Sequence, residues 1–288
     1  MWVTAINKVR KGSRLHEAGV KKASLVLCLL ILIGAGAIRA QDNYEIQVYG
    51  SELVPVGATM LELHSNYTFD GQPGSAGVLT SHHALHETVE ITHGFSEWLE
   101  VGFYLFTSTQ SGTGLEWVGD HVRPRLSVPA RWHWPVGVSL SQEIGYTRRS
   151  YSEDTWSWEI RPIVDRRFGP LYVSLNPVFD RALKGSGAGA GFEFSPNAQA
   201  AIDVSPRVNL ALEYYGGFGP ANDPVGLNQS SQQIYPAVNL DFGDDWEFNL
   251  GVGVGLTPAT DRLLVKMIVG RRLGRERSNQ PSDGASTR

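Results

Sequence analysis

Cysteine is almost missing from this chain: Cys28 stands alone among 288 residues. That excludes an intrachain disulfide and a thiolate metal set, both of which need at least two thiols. A lipidated cysteine would need a small residue before it, and Leu27 is there instead. Beyond residue 40 no apolar run approaches the roughly 20 residues that a membrane-spanning helix requires, and mean hydropathy over the whole chain is only −0.17. No stretch past that point shows a helical period. Basic residues are concentrated at the start. Residues 1–40 hold seven of the 25 Lys and Arg but one of the 29 Asp and Glu, so residues 41–288 carry a net charge of −10. No basic patch is left to suit nucleic acid, and no nucleic-acid partner is expected.

The first forty residues have their own character. Lys8, Arg10, Lys11, Arg14, Lys21 and Lys22 form a basic lead, and the uncharged run ASLVLCLLILIGAGA occupies 23–37. Fifteen apolar residues are too few to cross a bilayer as a helix but suit the core of an export signal. Residues 1–40 therefore read as a signal peptide for the Sec pathway, cut after Ala40, with Ile38 an unfavourable residue three places before the end. Cys28 leaves with it, which suits an oxidising compartment.

Period-two alternation dominates the rest. In 246–256 (WEFNLGVGVGL), Trp246, Phe248, Leu250, Val252, Val254 and Leu256 fall on one face, while Glu247, Asn249 and three glycines fall on the other. Successive side chains of a strand point to opposite faces, so such an element is oily on one side only. Twelve segments of this kind lie between residues 57 and 273, most of them ten to fourteen residues long. Strands of soluble proteins average about 5–6 residues, whereas a tilted membrane strand needs about 9–11. The connectors alternate as well, with 149–153 and 182–188 of intermediate length and the short Pro258–Thr260 as the one break in the order. Phe95–Glu97, His133–Pro135, Phe168-Gly169, Val204–Pro206 and Gly243–Asp245 are short, whereas 70–82, 108–117 and 218–230 are long. Short turns at one end and longer loops at the other are how bacterial outer-membrane barrels are built.

The expected fold is all-β: a transmembrane, antiparallel, up-and-down β-barrel of about 12 strands over 57–273, preceded by the signal peptide. Residues 41–56, with the alternating stretch Tyr44–Tyr49, read as a periplasmic arm or a short plug strand. Residues 274–288 are a polar tail expected to be disordered. The oily faces should meet lipid, with aromatic residues such as Trp98, Tyr146, Trp156 and Trp246 in girdles near the strand ends. The lumen would then enclose charge of both signs. Closing the fourth and fifth strands places Arg123 opposite Glu143 and Arg125 opposite Ser141, with Glu159 and Arg161 on the next strand. Arg123, Arg125, Glu143, Glu159 and Arg161 are thus the candidate site, a charge cluster on the inner wall. It could neutralise charge inside a narrow barrel or act as a selectivity constriction.

Catalytic chemistry finds little support. His82, His83 and His86 lie in or beside the first long loop, with His64 nearby, but no carboxylate or cysteine completes a known ligand spacing, so no metal site is assigned. His121 and Ser141 share adjacent strands, but the hairpin register keeps them apart, and no Ser/His/Asp arrangement emerges. The glycine-rich stretch 184–191 lacks the Gly-Lys-Ser/Thr ending of a phosphate loop. No cofactor is expected, and the chain reads as a non-enzyme.

Residues 87–103 (ETVEITHGFSEWLEVGF) resemble the repeated hairpin of the outer-membrane family named for the meta-pathway of phenol degradation (MetA-like), with its strand, glycine, hydrophobic, small polar, acidic pattern at the periplasmic turn. The closing stretch Val265–Leu273 is similar to that family's last strand. Family members end this strand on an aromatic residue, read by the barrel-assembly machinery; Leu273 departs from that. The resemblance implies movement of small, often aromatic, compounds across the outer membrane of a Gram-negative-type bacterium. Expected partners are outer-membrane lipid, the assembly machinery and small solutes. A structural or adhesive barrel with a sealed lumen is the alternative, and an outer-membrane lipid-modifying enzyme a more distant one.

Overall fold

The computed structural model describes residues 43–74, 77–243 and 245–274. The expected signal peptide, and the polar tail beyond Gly274, lie outside the described residues. Twelve strands form the fold: β1 (Thr59–Asp70), β2 (Ala84–Ser96), β3 (Leu99–Gln110), β4 (Gly114–Ser127), β5 (Gly137–Thr147), β6 (Asp154–Phe168), β7 (Leu171–Gly185), β8 (Glu193–Ser205), β9 (Val208–Gly217), β10 (Ser231–Leu240), β11 (Trp246–Gly255) and β12 (Leu263–Leu273). Each pairs antiparallel with its neighbours in sequence, and β1 closes on β12 from Thr59↔Leu273 to Asp70↔Leu263. The result is a closed barrel without a free edge, the arrangement that satisfies every strand's backbone where no water is available.

Alternation along the strands becomes an inside and an outside. On β1, Leu61 and Leu63 are 41% and 39% exposed, whereas Glu62 and His64 between and beyond them are buried. On β9 Leu210 and Leu212 face out and Glu213 and Tyr215 face in. Leu105, Val122, Ile144, Leu175, Val252 and Leu263 extend the oily outer wall around the barrel. A soluble barrel would reverse this order. An outer wall of exposed Leu, Val and Ile over a charged interior is stable only when the outside solvent is lipid. Exposed aromatics cluster near both rims: Phe95, Trp98, Trp132, Phe168, Phe242 and Trp246 at the end carrying the β2–β3 turn, and Phe69, Trp117 and Trp156 at the other.

Two connectors differ from the sequence expectation. The loop expected over 108–117 shrinks to residues 111–113, because Thr107–Gln110 and Gly114–Trp117 continue the ladder (Thr109↔Leu115, Gln110↔Gly114). Gly112 and Gly114, both at positive φ, make the reversal that lets this polar hairpin run past the barrel wall. The turn expected at His133–Pro135 instead spans 128–136 and contains a 3-10 turn at Ala130–Trp132. Pro129 opens this excursion, and a proline has no N–H to give to a ladder.

Candidate functional site

The lumen is not open along its length. Residues 43–56 run through it without joining the sheet, so the alternation of Tyr44–Tyr49 builds no strand. Wall side chains take over the arm's backbone groups instead. Near the long-loop end, Asn66 donates to the Asn43 carbonyl at 2.9 Å and Thr88 to that of Tyr44 at 2.7 Å. At mid-height Lys266 Nζ reaches the Ile46 carbonyl at 3.1 Å, and Asn176 both accepts from the Tyr49 N–H and donates to the Tyr49 carbonyl. Towards the short-turn end Asp165 accepts from Ser51, Arg125 donates to the Gly50 and Glu52 carbonyls, and Glu100 accepts from the Val54 N–H. Every buried backbone polar group needs a partner, and here the barrel wall supplies them one by one.

Side chains of the arm fill the interior. Ile46 and Val48 pack with Tyr215, Tyr235 and Leu264 on one side, and Tyr44 packs with Tyr104, Phe106 and Val118 on the other. Inward-facing apolar residues such as Phe106, Ile163 and Leu264 thus cover the arm, although the strand pattern alone marks the lumen as polar.

The charge cluster forms around this arm. Register sets Arg125 opposite Ser141, with Val122 opposite Ile144. Arg123 does not pair with Glu143 directly. Its Nη2 binds Glu90 at 2.7 Å and lies 3.9 Å from Glu100, while its Nη1 lies 3.6 Å from the arm's Glu45. Arg125 Nε binds Glu100 at 2.8 Å. Glu143 instead joins His121 on the adjacent strand. Arg161 forks onto Glu159 at 2.7 and 2.9 Å and lies 3.8 Å from Glu45. The five expected residues therefore line one region of wall, and two arm residues organise it. Glu45 sits between Arg123 and Arg161. Tyr49 donates its hydroxyl to Glu45, and its ring lies under Arg123, Arg161 and Arg125 at 4.4, 4.9 and 5.5 Å. Strand periodicity marks Glu90 and Glu100 as inward-facing. It cannot place Glu45 or Tyr49, whose positions depend on the arm folding back. The acid and aromatics of Tyr44–Tyr49 are the one sequence signal for that.

Below the arm the lumen holds a cavity of about 300 Å³. Arg167, Asp203, Asn209, Asn239 and Glu247, all near the short-turn ends of their strands, line it, and it reaches up to Lys266, Glu213 and the arm's Gln47 and Val48. Lys266 and Glu213 form a buried ion pair at its inner end.

The histidines separate. His82 and His83 meet in the loop with ring centroids 4.1 Å apart and planes tilted by 60°, His86 turns into the lumen against Tyr44, and His64 lies deeper on β1.

The barrel has solved counterparts. It is similar to the COG4313 outer membrane channel from Pseudomonas putida F1, at TM-score 0.53 and 13% identity, over 80% of this chain and 100% of that one. The NanC porin matches at TM-score 0.47 and 10% identity, and the KdgM porin, solved with disordered oligogalacturonate, at 0.45 and 9%; each match covers 75% of this chain and 99% of the porin. No protein-family model and no curated protein matches the chain. What is shared is the fold.

Proposed function

We propose that this protein is an outer-membrane channel for small solutes, exported through the Sec pathway, inserted by the barrel-assembly machinery, and performing no chemistry of its own. The observation that carries this reading is the division of the lumen. A polar cavity lies at the short-turn end of the lumen and stops against a segment that wall side chains hold by hydrogen bonds and ion pairs. A structural barrel has no need of a polar vestibule, and charged and polar side chains lining a lumen are what gives a pore its selectivity. Short turns face the periplasm in such barrels, so the vestibule opens there. The resemblance of 87–103 to the MetA-like hairpin favours small hydrophobic or aromatic solutes.

The sealed-lumen alternative rests on a specific observation, the burial of most of Tyr44–Ser51 in the middle of the barrel. Planar-bilayer recording separates the two. The channel reading expects a small conductance from the full protein and a severalfold larger one when residues 43–54 are deleted. A deletion variant that still migrates as a folded, heat-modifiable barrel yet conducts nothing would leave the structural reading in place. Liposome swelling with small aromatic acids against sugars of similar size then tests the solute class.

A further inference from the structure

Glu62, His64 and Glu90 line the inner wall of β1 and β2, and one donor atom from each lies within 4.8 Å of the others. All three are buried. Glu62 stands directly opposite Glu90 in the ladder, an arrangement that places like charges side by side and destabilises a strand pair. The two oxygens of Glu90 have different roles. Its Oε1 accepts from Arg123 Nη2 and from Thr92, both at 2.7 Å. Its Oε2 faces His64 Nε2 at 3.3 Å, and the other ring nitrogen, Nδ1, makes no hydrogen bond although it is shut away from solvent. Among the described residues Glu62 takes part in no ion pair and accepts no hydrogen bond. A buried acceptor without a partner costs about 1–3 kcal/mol, and more if charged.

We infer that Glu62, His64 and Glu90 form a binding site for a divalent transition-metal ion of the zinc type. Oxygen and imidazole donors sit about 2.0–2.1 Å from a tetrahedral zinc, so two of them lie about 3.3 Å apart. His64 Nε2 and Glu90 Oε2 are 3.3 Å apart, an ion pair when the imidazole is protonated and the spacing of two donors on one ion when it is not. Two carboxylates and one imidazole are a borderline donor set, suited to zinc and its neighbours rather than to calcium, which takes six to eight oxygens. The fourth position has both a candidate and a route. Gly270 of β12 stands between Glu62 and Glu247: a Cβ there would lie 3.0 Å from Glu62 Cγ and 3.2 Å from Glu247 Cβ. With no side chain at 270, Glu247 neighbours the site, and Glu247 also lines the polar cavity. An ion would enter from the short-turn mouth and take Glu247 or a water as its last ligand.

The test uses the purified folded protein, stripped with chelator and then titrated with zinc alone. His82→Gln/His83→Gln serves as the parent, so that the exposed loop pair contributes nothing. One zinc per chain is expected, with affinity falling at least tenfold in Glu62→Gln and in His64→Gln, and unaffected by excess calcium. X-ray absorption on the zinc-loaded parent should show one imidazole with oxygen donors at about 2.0–2.1 Å. That measurement decides the matter even if a variant fails to fold. No zinc retained by the parent, a first shell of two or more imidazoles, or unchanged affinity in a folded His64→Gln barrel would overturn the assignment.

Discussion

The ring of Tyr49 lies beneath the guanidinium of Arg123, with the Arg123 Cζ 4.4 Å from the ring centroid. Arg123 belongs to the wall and Tyr49 to the arm, so this contact is where the two are clasped. Arg161 and Arg125 close round the same ring. Cation–π contacts of desolvated groups are worth about 0.5–2 kcal/mol each, and truncating a buried aromatic side chain costs about 3–5 kcal/mol in all. Tyr49→Ala should therefore unseat the arm and raise single-channel conductance severalfold. Tyr49→Phe, which keeps the ring, should stay close to the parent. Equal conductance in all three proteins would show that this clasp does not hold the arm.

Lys266 holds a second point. It donates to Glu213 and to the Ile46 carbonyl at the inner end of the cavity, and both Lys266 and Glu213 are almost wholly buried. Removing one partner of a buried pair leaves the other charge without compensation, at a cost of about 3–5 kcal/mol. Lys266→Met should lower unfolding stability in detergent by that order, and adding Glu213→Gln should recover most of it. A single substitution costing less than about 1 kcal/mol would mean that water already reaches the pair.

Leu63 lies in the middle of β1 on the outer wall. An arginine there would face hydrocarbon, at a cost of about 2–4 kcal/mol near the bilayer midplane. Leu63→Arg should slow insertion into lipid vesicles and reduce the heat-modifiable fraction on a gel, whereas Leu63→Ala should be mild. Insertion of the arginine variant at the parental rate would contradict an oily face turned to lipid.

Gly145 allows His121 to meet Glu143. A Cβ at 145 would fall 1.6 Å from His121 Cδ2, inside the ring. Gly145→Ala must therefore push the imidazole away and strand a buried carboxylate, for a loss of about 1–3 kcal/mol. The loss should shrink when His121→Ala is added, because the clash is then gone. Purely additive effects in a double-mutant cycle would rule out this steric coupling.

The parts of the fold that arise from local chemistry are readable in residue order. Strand length, the period-two faces, and the sorting of Leu61 and Leu63 outward from Glu62 and His64 all depend on neighbours two positions away, and the pairing of Arg125 with Ser141 depends on the register of one hairpin. The hairpin at 107–117 escapes such reading because its polar residues resemble a loop, and only cross-strand pairing with Gly112 and Gly114 at the reversal makes them strand. Nothing in the alternation of β2 and β4 tells Arg123 to choose Glu90 over Glu143.

By itself the sequence determined a closed sheet with an oily exterior and an ionised interior, because a repeat of two residues needs no knowledge of the rest of the chain. Only the tertiary structure decided what occupies the middle. The passage of 43–56 through the lumen, the seating of Glu45 and Tyr49 among three arginines, and the meeting of Glu62, His64 and Glu90 join residues up to 220 positions apart. Such contacts depend on the curvature that brings the wall round to face the arm, and curvature is a property of the closed barrel rather than of any one strand.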